Sequence, residues 1–492
     1  MGENSYILEI APMLPTTFYN SDQNCYSFLS QFEVNVREIF EFEGVVIQEV
    51  ISKQTEPTGA ILVGILLNGE SQEKLNEDLN ELESLLKTLG VVVLDRIIQK
   101  RHRLTAATLL GSGKVDEIRE LAETQGADIV AFDRALSPPQ VRNLEEMTCK
   151  NVIDRTGIIL EIFSKHARTN QARTQVEIAR LEYLLPRLAG AWTHFQRQTG
   201  GGVRSRGMGE KQIEVDRRRA RERISRLQKQ LEQIRKEKQT QRKSRAQELK
   251  VAIVGYTNSG KTTLMKGLTR STVAGKNELF ATLDTNIKTI DPRTRPKILL
   301  SDTVGFIRNL PHSLVESFKS TLDEVQEADL LLHVVDVSFD SYEDHIRITR
   351  QVLEEIGAGD VPQIMVFNKS DLLEDQILPR VLKAAYPGSI TLSANAVDDV
   401  NMLRDHIYAY FIKNLVTYSV AIDVSAQSEL SKVYNNCLII KTDYDETGKM
   451  LFHLQSTRST MAKLRKFIVE LEDEDFSDPD EEDKLENDNV DD

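Results

Sequence analysis

One octapeptide constrains the fold of this chain more than any other stretch. Gly255 to Thr262 reads Gly-Tyr-Thr-Asn-Ser-Gly-Lys-Thr, which matches the phosphate-binding loop pattern G-x-x-x-x-G-K-[ST]. The apolar run Leu249 to Val254 predicts a buried strand before the loop, and Thr263 to Thr269 predicts a helix after it. Because this strand–loop–helix order is the context that a phosphate-binding loop requires, the sequence predicts a nucleotide-binding α/β domain.

The residue types of this loop explain how it would bind phosphate. Glycines at positions 255 and 260 let backbone N–H groups approach phosphate oxygens. Lys261 supplies a positive charge and is a candidate catalytic residue, and the Thr262 hydroxyl is a candidate Mg²⁺ ligand. The predicted nucleotide contacts in the loop are Gly255, Tyr256, Thr257, Asn258, Ser259, Gly260, Lys261 and Thr262.

A second motif predicts which nucleotide is bound. Asn368-Lys369-Ser370-Asp371 follows the apolar run Ile364 to Phe367, so it lies at the carboxyl end of a predicted strand, where open α/β sheets bind ligands. An aspartate there can accept hydrogen bonds from guanine N1–H and the exocyclic amine, whereas adenine offers no matching pair of donors. The sequence therefore predicts GTP and GDP as the bound nucleotides. Backbone N–H groups are predicted to complete the base pocket at Ser393, Ala394 and Asn395.

Two segments between these motifs are predicted to respond to the γ-phosphate. Asp302 would hold Mg²⁺ through water, and the Gly305 N–H would sense the γ-phosphate. Thr282 is the candidate second metal hydroxyl, and both Thr282 and Gly305 are candidate catalytic residues. Ordering such segments against phosphate and metal, and releasing them on hydrolysis, converts nucleotide state into shape. The predicted contacts are Phe280, Ala281, Thr282, Leu283 and Asp284 in the first segment, and Asp302, Thr303, Val304 and Gly305 in the second.

The residue after Gly305 is informative because of its side chain. Ras-like GTPases carry a glutamine at this position, which orients the attacking water, and this chain has Phe306. A phenyl ring cannot orient water. The sequence therefore predicts slow intrinsic hydrolysis, roughly 10⁻³ s⁻¹ or slower, and a partner that completes the site.

Charge is strongly polarised along the chain, whose formal net charge is −14 over 492 residues. Residues 165–250 hold 23 Lys and Arg against 9 Asp and Glu, a balance typical of a nucleic-acid footprint. Residues 470–492 hold 14 acidic residues and one lysine, which predicts a solvated, disordered tail. No apolar run reaches the length of about 18 residues that a membrane helix needs, and no signal-peptide pattern opens the chain. We expect a cytoplasmic protein with no membrane contact.

The basic block predicts an antiparallel helical hairpin. One helical pattern runs from Thr174 to Leu188, and a later one has apolar residues at spacings of four and three. The predicted tip, Trp192 to Gly209, joins aromatic rings and arginines on a flexible glycine-rich backbone, which suits RNA recognition. A solvated loop and a solvent-facing helix surface remain the alternatives. The RNA-binding candidates are Trp192, His194, Arg204, Arg206, Arg217 and Arg218.

The order of predicted elements gives an α/β fold built from several modules. Residues 59–164 alternate strands with helices, which predicts a small parallel sheet. The helical hairpin occupies residues 165–248, and the P-loop GTPase domain follows at residues 249–413. A small α+β module at residues 414–471 precedes the acidic tail at residues 472–492. Residues 1–58 are an N-terminal extension of undetermined structure.

Taken together, these residues resemble the HflX GTPases, a ribosome-associated class related to translation factors. The resemblance runs from about Ala60 to Phe411 and continues more weakly to about Leu471. The chain departs from the family pattern at Met208, where proline is usual, and at Ser259 and Thr262, where alanine and serine are usual. The matching segments are Gly255–Thr262, Leu279–Asp284, Asp302–Pro311, Asn368–Asp371, Val152–Gly157, Gln175–Leu188 and Trp192–His194.

The resemblance implies a GTPase that is stimulated by ribosomes. It implies binding to the 50S subunit and its 23S rRNA, and splitting or rescue of stalled 70S ribosomes under stress. A monomer is the default expectation. The alternative is an RNA-binding GTPase switch in 50S assembly, which would prefer immature 50S precursors to intact 70S particles. A third hypothesis is an RNA helicase that uses Gly113 and Lys114 of the N-terminal domain.

Overall fold

The computed structural model describes residues 58–187, 203–243, 248–270, 279–280, 282–283, 286–308, 323–373, 377–445 and 448–471. These residues form three sheets, of four, six and four strands. Within them no helix combines the length and the apolar composition needed to cross a membrane. The predicted acidic tail and nearly all of the predicted N-terminal extension lie outside the described residues.

The first sheet is parallel, as predicted for residues 59–164, with strand order β2-β1-β3-β4. Every residue of the central strand from Gly59 to Leu66 is buried, because helices cover both faces of the sheet. The strands are β1 (Gly59–Leu67), β2 (Val92–Arg101), β3 (Ile129–Phe132) and β4 (Asn151–Asp154). The connecting helices are α1 (Gln72–Leu89), α2 (Ser112–Gln125) and α3 (Pro138–Thr148).

A fourth helix of this domain, α4 (Arg155–His166), was not predicted from the sequence. Its residues from Gly157 to Phe163 are all buried, so its sequence has no polar face and no amphipathic period to reveal a helix. The helix begins directly after β4. The carboxylate of Asp154, the last residue of β4, caps its first turn by accepting a hydrogen bond from the Gly157 N–H at 2.9 Å.

The basic block contains two helices that pack together, α5 (Asn170–Leu184) and α6 (Val203–Lys243). Their shared apolar cluster confirms most of the predicted seam and consists of Ile178, Leu181, Ile224, Leu227 and Leu231. The prediction of a flexible backbone as far as Gly209 was wrong, because α6 already begins at Val203. Isolated glycines cost a helix only about 1 kcal/mol each, and a helix of 41 residues absorbs that cost cooperatively.

The second sheet has strand order β10-β9-β8-β5-β7-β6, with only β6 antiparallel to its neighbour. Its strands are β5 (Leu249–Gly255), β6 (Asn286–Thr289), β7 (Ile298–Asp302), β8 (Leu330–Asp336), β9 (Gln363–Asn368) and β10 (Ile390–Thr391). The helices with it are α7 (Lys261–Thr269), α8 (Tyr342–Glu355), α9 (Leu378–Ala385) and α10 (Val397–Lys413). The predicted motifs follow β5, β7 and β9, whose carboxyl ends meet at one edge of the sheet.

The third sheet is antiparallel, with order β12-β13-β11-β14, and confirms the predicted α+β module. Within this module the apolar spacing predicts a last helix from Thr460 to Leu471, but the observed helix is shorter. It ends at Leu464, and the β-branched pair Ile468 and Val469 opens a strand that pairs with β11. The elements are β11 (Val416–Ile422), α11 (Gln427–Asn436), β12 (Leu438–Tyr444), β13 (Met450–Ser456), α12 (Arg458–Leu464) and β14 (Ile468–Leu471).

A buried histidine makes the stability of the second sheet depend on pH. His333 lies in β8 and is 1% exposed, and its burial lowers its pKa to about 4, whereas an unfolded histidine titrates near 6.5. A group whose pKa is lower in the folded state binds fewer protons there. Its contribution is therefore complete above pH 6.5 and is lost as the pH falls from 6.5 towards 4.

When the pH falls from 7.5 to 5, we expect the free energy of opening to decrease by about 2 kcal/mol less in the variant His333→Gln than in the native chain. The free energy of opening is measured by hydrogen exchange of peptides from Leu330–Asp336, corrected for intrinsic rates. The change of packing is common to both pH values and cancels in the comparison. Equal losses in the two proteins would contradict the assignment.

Candidate nucleotide-binding site

The phosphate-binding loop connects β5 to α7 and turns at two glycines. Gly255 has φ 147° and Gly260 has φ 94°, in the region that disfavours residues with a Cβ atom. A Cβ added to Gly255 would lie 2.1 Å from the Val334 carbonyl oxygen, and one added to Gly260 would lie 2.1 Å from Asn368 Nδ2. Both positions therefore require glycine, for conformation and for space.

Several polar groups of this loop are buried without a full set of partners. The hydroxyls of Thr257 and Ser259 are buried, and neither has a hydrogen-bond partner among the described residues. Lys261 Nζ donates to the backbone oxygens of Gly255 at 3.1 Å and Tyr256 at 2.7 Å. Burial lowers the pKa of Lys261 to about 8, although Asp302 opposes that shift. Buried polar groups are normally paired, so this loop fits a polar, anionic ligand.

Three oxygen-bearing side chains meet beside the loop, as predicted for a metal site. Thr262 Oγ1 lies 2.8 Å from Thr282 Oγ1 and donates to Asp302 Oδ2 at 2.7 Å, and Thr282 Oγ1 donates to the same oxygen at 3.1 Å. The other oxygen, Asp302 Oδ1, is buried and has no partner within the described part of the chain. Burial raises the pKa of Asp302, and Lys261 opposes this. Hydroxyl and carboxylate oxygens are the donors that Mg²⁺ prefers, so the residues fit that ion.

The predicted base motif adjoins the phosphate loop through one side chain. Asn368 Nδ2 donates to the Ser259 backbone oxygen at 2.8 Å, and Asn368 Oδ1 accepts from the Ala394 N–H at 2.9 Å. The amide thus joins the loop to the second base segment. The neighbouring Lys369 pairs with Asp336, and Asp371 lies exposed in the 3₁₀ turn Ser370–Leu372.

The backbone N–H groups predicted to bind the base have acceptors within the chain. The Ser393 N–H donates to Asp399 Oδ2 at 2.7 Å, and the Asn395 N–H makes a long contact of 3.4 Å with Ser393 Oγ. The Ala394 N–H is used by Asn368. The structure therefore brings this segment to the site, and its contact with a base stays a prediction.

The two segments predicted to respond to the γ-phosphate are called the first switch segment (residues 280–284) and, with the three residues that follow Gly305, the second switch segment (residues 302–308). Their described residues pack against the first domain. Phe280 is 2% exposed, and its ring meets the Phe163 ring of α4 edge to face, with 4.8 Å between centroids. Leu283, Val304 and Ile307 are buried in the same apolar cluster as residues of α1 and α4. The side chains of these apolar residues stabilise the segments, so that at these positions only the backbone remains for a nucleotide. Ala281 and Asp284 lie outside the described residues.

Phe306 has a structural role that its sequence position did not reveal. Its side chain is 2% exposed in an apolar cluster with Val254, Leu331 and Val352. Its backbone bonds to the phosphate loop, donating to the Gly255 oxygen at 3.1 Å and accepting from the Thr257 N–H at 2.7 Å. The residue in place of the catalytic glutamine therefore anchors the second switch segment to the loop. The predicted slow hydrolysis stays a prediction.

Sequence reasoning missed the polar contacts between this site and the first domain. The Tyr256 hydroxyl donates to Glu81 Oε1 of α1 at 2.6 Å and accepts from the Arg308 N–H at 2.8 Å. The Arg308 guanidinium donates to Asp78 of α1 at 2.7 Å and to Asp344 of α8 at 3.1 Å. Partners 175 and 230 positions apart leave no local pattern. Only covariation among related sequences could have revealed them.

The structure leaves the RNA-binding candidates largely untested. Arg217 is half-buried on α6, and Arg218 is exposed with its nearest carboxylate, Glu222, at 3.8 Å. Arg204 and Arg206 lie in the first turns of α6, where only the backbone is described. Trp192 and His194 lie outside the described residues. In the first domain, Lys114, which the helicase hypothesis requires, forms an ion pair with Glu117 at 2.7 Å.

Three family profiles match consecutive parts of the chain. The profile described as "GTP-binding GTPase N-terminal" matches residues 76–164, and "GTP-binding GTPase Middle Region" matches residues 166–245. The profile described as "50S ribosome-binding GTPase" matches residues 250–369 and so includes the phosphate loop, the second switch segment and the start of the base motif.

Curated proteins named "GTPase HflX" are similar over much of the chain. The protein from Gluconacetobacter diazotrophicus is 41% identical over 430 residues, covering 80% of this chain and 94% of its own. That from Escherichia coli K12 is 46% identical over 318 residues, covering 64% and 74%. Among solved structures, a GTP-binding protein from Sulfolobus solfataricus in complex with GDP is 26% identical, covers 72% of this chain and 98% of its own, and has a TM-score of 0.38.

We expect Gly260→Ala to weaken GDP binding by roughly 100-fold or more, because the added methyl group meets Asn368 and the backbone conformation disfavours alanine. Gly359→Ala is the control, since an added Cβ there makes only ordinary contacts with Glu354 and the residue belongs to none of the nucleotide-binding motifs. Titration with a fluorescent GDP analogue measures both. A dissociation constant for Gly260→Ala within threefold of that of the control would contradict the assignment of this loop as the phosphate-binding site.

Proposed function

This chain belongs to the HflX family of GTPases, and on that basis we propose that it binds the large ribosomal subunit and splits or rescues stalled 70S ribosomes under stress. It hydrolyses GTP to GDP and phosphate. The match of residues 250–369 to a profile described as "50S ribosome-binding GTPase" supports the ribosomal partner. We propose that it works as a cytoplasmic monomer, partly associated with ribosomes.

The exposed basic surface of α6 supports a contact with 23S rRNA. Arg218 and Arg219 have side chains 71% and 51% exposed, and their nearest carboxylates lie at 3.8 and 3.9 Å, beyond hydrogen-bond distance. Such guanidinium groups retain most of their capacity to bind phosphates. We extend the proposal to the other candidates, Trp192, His194, Arg204, Arg206 and Arg217.

The nucleotide site supports catalysis by positioning and charge. Lys261 would neutralise phosphate charge, the Gly305 N–H would contact the γ-phosphate, and Asn368 with Asp371 would select guanine. Thr262, Thr282 and Asp302 are the residues that would hold Mg²⁺. That ion supplies positive charge against the charge that develops on the transferred phosphoryl group. The other residues of the two switch segments would contact the nucleotide through their backbone.

The observation that carries the proposal of ribosome stimulation is the environment of Phe306. Its ring is held in the core, so it cannot orient a water molecule. The segment from Asp302 to Arg308 contains no glutamine that could do so instead. We infer that hydrolysis is slow in the free protein and that a ribosomal group completes the site.

The decisive experiment measures GTP turnover by the purified protein in buffer, with 50S subunits and with 70S ribosomes. Sucrose gradients of the same mixtures measure particle dissociation. We expect stimulation of about 10-fold or more by ribosomes, together with loss of 70S particles that requires GTP. Both effects should vanish in Lys261→Ala, because that variant lacks the phosphate-binding charge.

The alternative role in 50S assembly predicts a different pattern in this experiment. Stimulation by immature 50S precursors, without dissociation of 70S particles, would favour assembly over splitting. Stimulation by neither particle would contradict the ribosomal role altogether. It would also mean that the basic surface of α6 serves another RNA.

A further inference from the structure

The Tyr256 hydroxyl joins three parts of the molecule at one atom. Tyr256 belongs to the phosphate-binding loop, and its hydroxyl accepts a hydrogen bond from the backbone N–H of Arg308, in the second switch segment, at 2.8 Å. The same hydroxyl donates to Glu81 Oε1, on α1 of the first domain, at 2.6 Å. The ring is 5% exposed and stacks on His345 at 3.9 Å between centroids, so its orientation is fixed.

Glu81 is itself held in place by buried charge. Its other carboxylate oxygen pairs with the guanidinium of Arg155, whose side chain is 3% exposed. Arg155 also donates to Asp133 Oδ1 at 2.8 Å. A carboxylate in such a network is pre-organised and presents a fixed acceptor to its neighbour.

We propose that Glu81, acting through Tyr256, is a positioning residue for recognition of the γ-phosphate, so that the first domain completes the nucleotide site. The hydroxyl fixes the backbone of Arg308, three residues after Gly305. Phe306 and Ile307 between them are anchored in the cores of the second and first domains, respectively. The short connection leaves Gly305 little freedom that is independent of Arg308.

Gly305 lies directly against the phosphate loop. A Cβ added there would be 2.9 Å from the Thr257 Cα and 3.0 Å from Lys261 Nζ. A shift of the Arg308 backbone would therefore change the distance between Gly305 and any phosphate next to Lys261. GDP has no γ-phosphate and would not be affected by such a shift. The inference thus rests on the proposed γ-phosphate contact of Gly305, but not on the proposed action at the ribosome.

The hydroxyl is suited to this double role in its protonated form. Burial raises the pKa of Tyr256 well above its ordinary value, so the group keeps the proton that it donates to Glu81. In Tyr256→Phe the Arg308 N–H would be buried without an acceptor, and Glu81 Oε1 would lose the donor that Tyr256 supplies. The aromatic ring and its stacking on His345 would remain.

The test compares the dissociation constants of GDP and of a non-hydrolysable GTP analogue for the full-length protein and its variants. We expect Tyr256→Phe and Glu81→Ala each to weaken binding of the GTP analogue about 5- to 10-fold, with less than about twofold change for GDP. Glu81→Gln should bind nearly as the native chain, because its amide oxygen still accepts from the hydroxyl. The double variant Tyr256→Phe/Glu81→Ala should bind the GTP analogue no more weakly than Tyr256→Phe alone, because both substitutions remove the same hydrogen bond between Tyr256 and Glu81.

Tyr418→Phe is a matched control. The Tyr418 hydroxyl lies 2.6 Å from Ser456 Oγ in the buried core of the third sheet. The variant removes one buried phenolic hydrogen bond without touching the nucleotide site, so the ratio of the two dissociation constants should not change. Unchanged GDP binding also verifies that each variant is folded.

Three outcomes would overturn the inference. The first is that Tyr256→Phe and Glu81→Ala weaken the binding of both nucleotides equally, and the second is that they weaken the binding of neither. The third is that the losses of binding free energy add up in the double variant. The variant Gly305→Ala separates this inference from the proposal beneath it. If Gly305→Ala, whose added Cβ would crowd Lys261, weakens binding of the GTP analogue more than binding of GDP, and the other two variants do not, the γ-phosphate contact stands and the role of Glu81 is refuted. If Gly305→Ala binds both nucleotides normally, the proposed contact is itself wrong.

Discussion

The apolar cluster shared by the first two domains is the interaction on which the nucleotide site depends. It joins Phe163 and the leucines of α1 to Phe280, Leu283 and Val304. Burial of each such side chain contributes about 1.5–3 kcal/mol, which is enough to hold short segments that have little regular structure of their own. The two switch segments are thus packed as part of a core. Their positions are set as much by α1 and α4 as by the second sheet.

The polar contacts at the same boundary add direction to this packing. Apolar burial is non-directional and tolerates small shifts, whereas hydrogen bonds to Glu81 and Asp78 fix the hydroxyl of Tyr256 and the guanidinium of Arg308. Both carboxylates lie on α1, one turn apart on the same face. One helix of the first domain therefore supplies both the apolar and the charged part of the contact.

The sequence was sufficient where a function depends on consecutive residues. The phosphate loop, the base motif and Asp302 could be placed because each follows an apolar strand, and parallel strands bring their carboxyl ends together. It was insufficient where an element lacks periodicity, as in α4, whose buried residues leave no polar face. It was also insufficient for Phe306. The sequence shows that this residue cannot orient water as a glutamine would, but only the fold shows that it anchors the second switch segment to the phosphate loop.

The length of α6 has a mechanical consequence. Its 41 residues extend about 60 Å along the helix axis, and the helix ends at Lys243, shortly before β5 and the phosphate loop in the chain. A rotation of about 5° at that end would displace the opposite end by roughly 5 Å, which is the length of one helical turn. The length of α6 would therefore convert a small change of direction at one end into a displacement of several ångströms at the other.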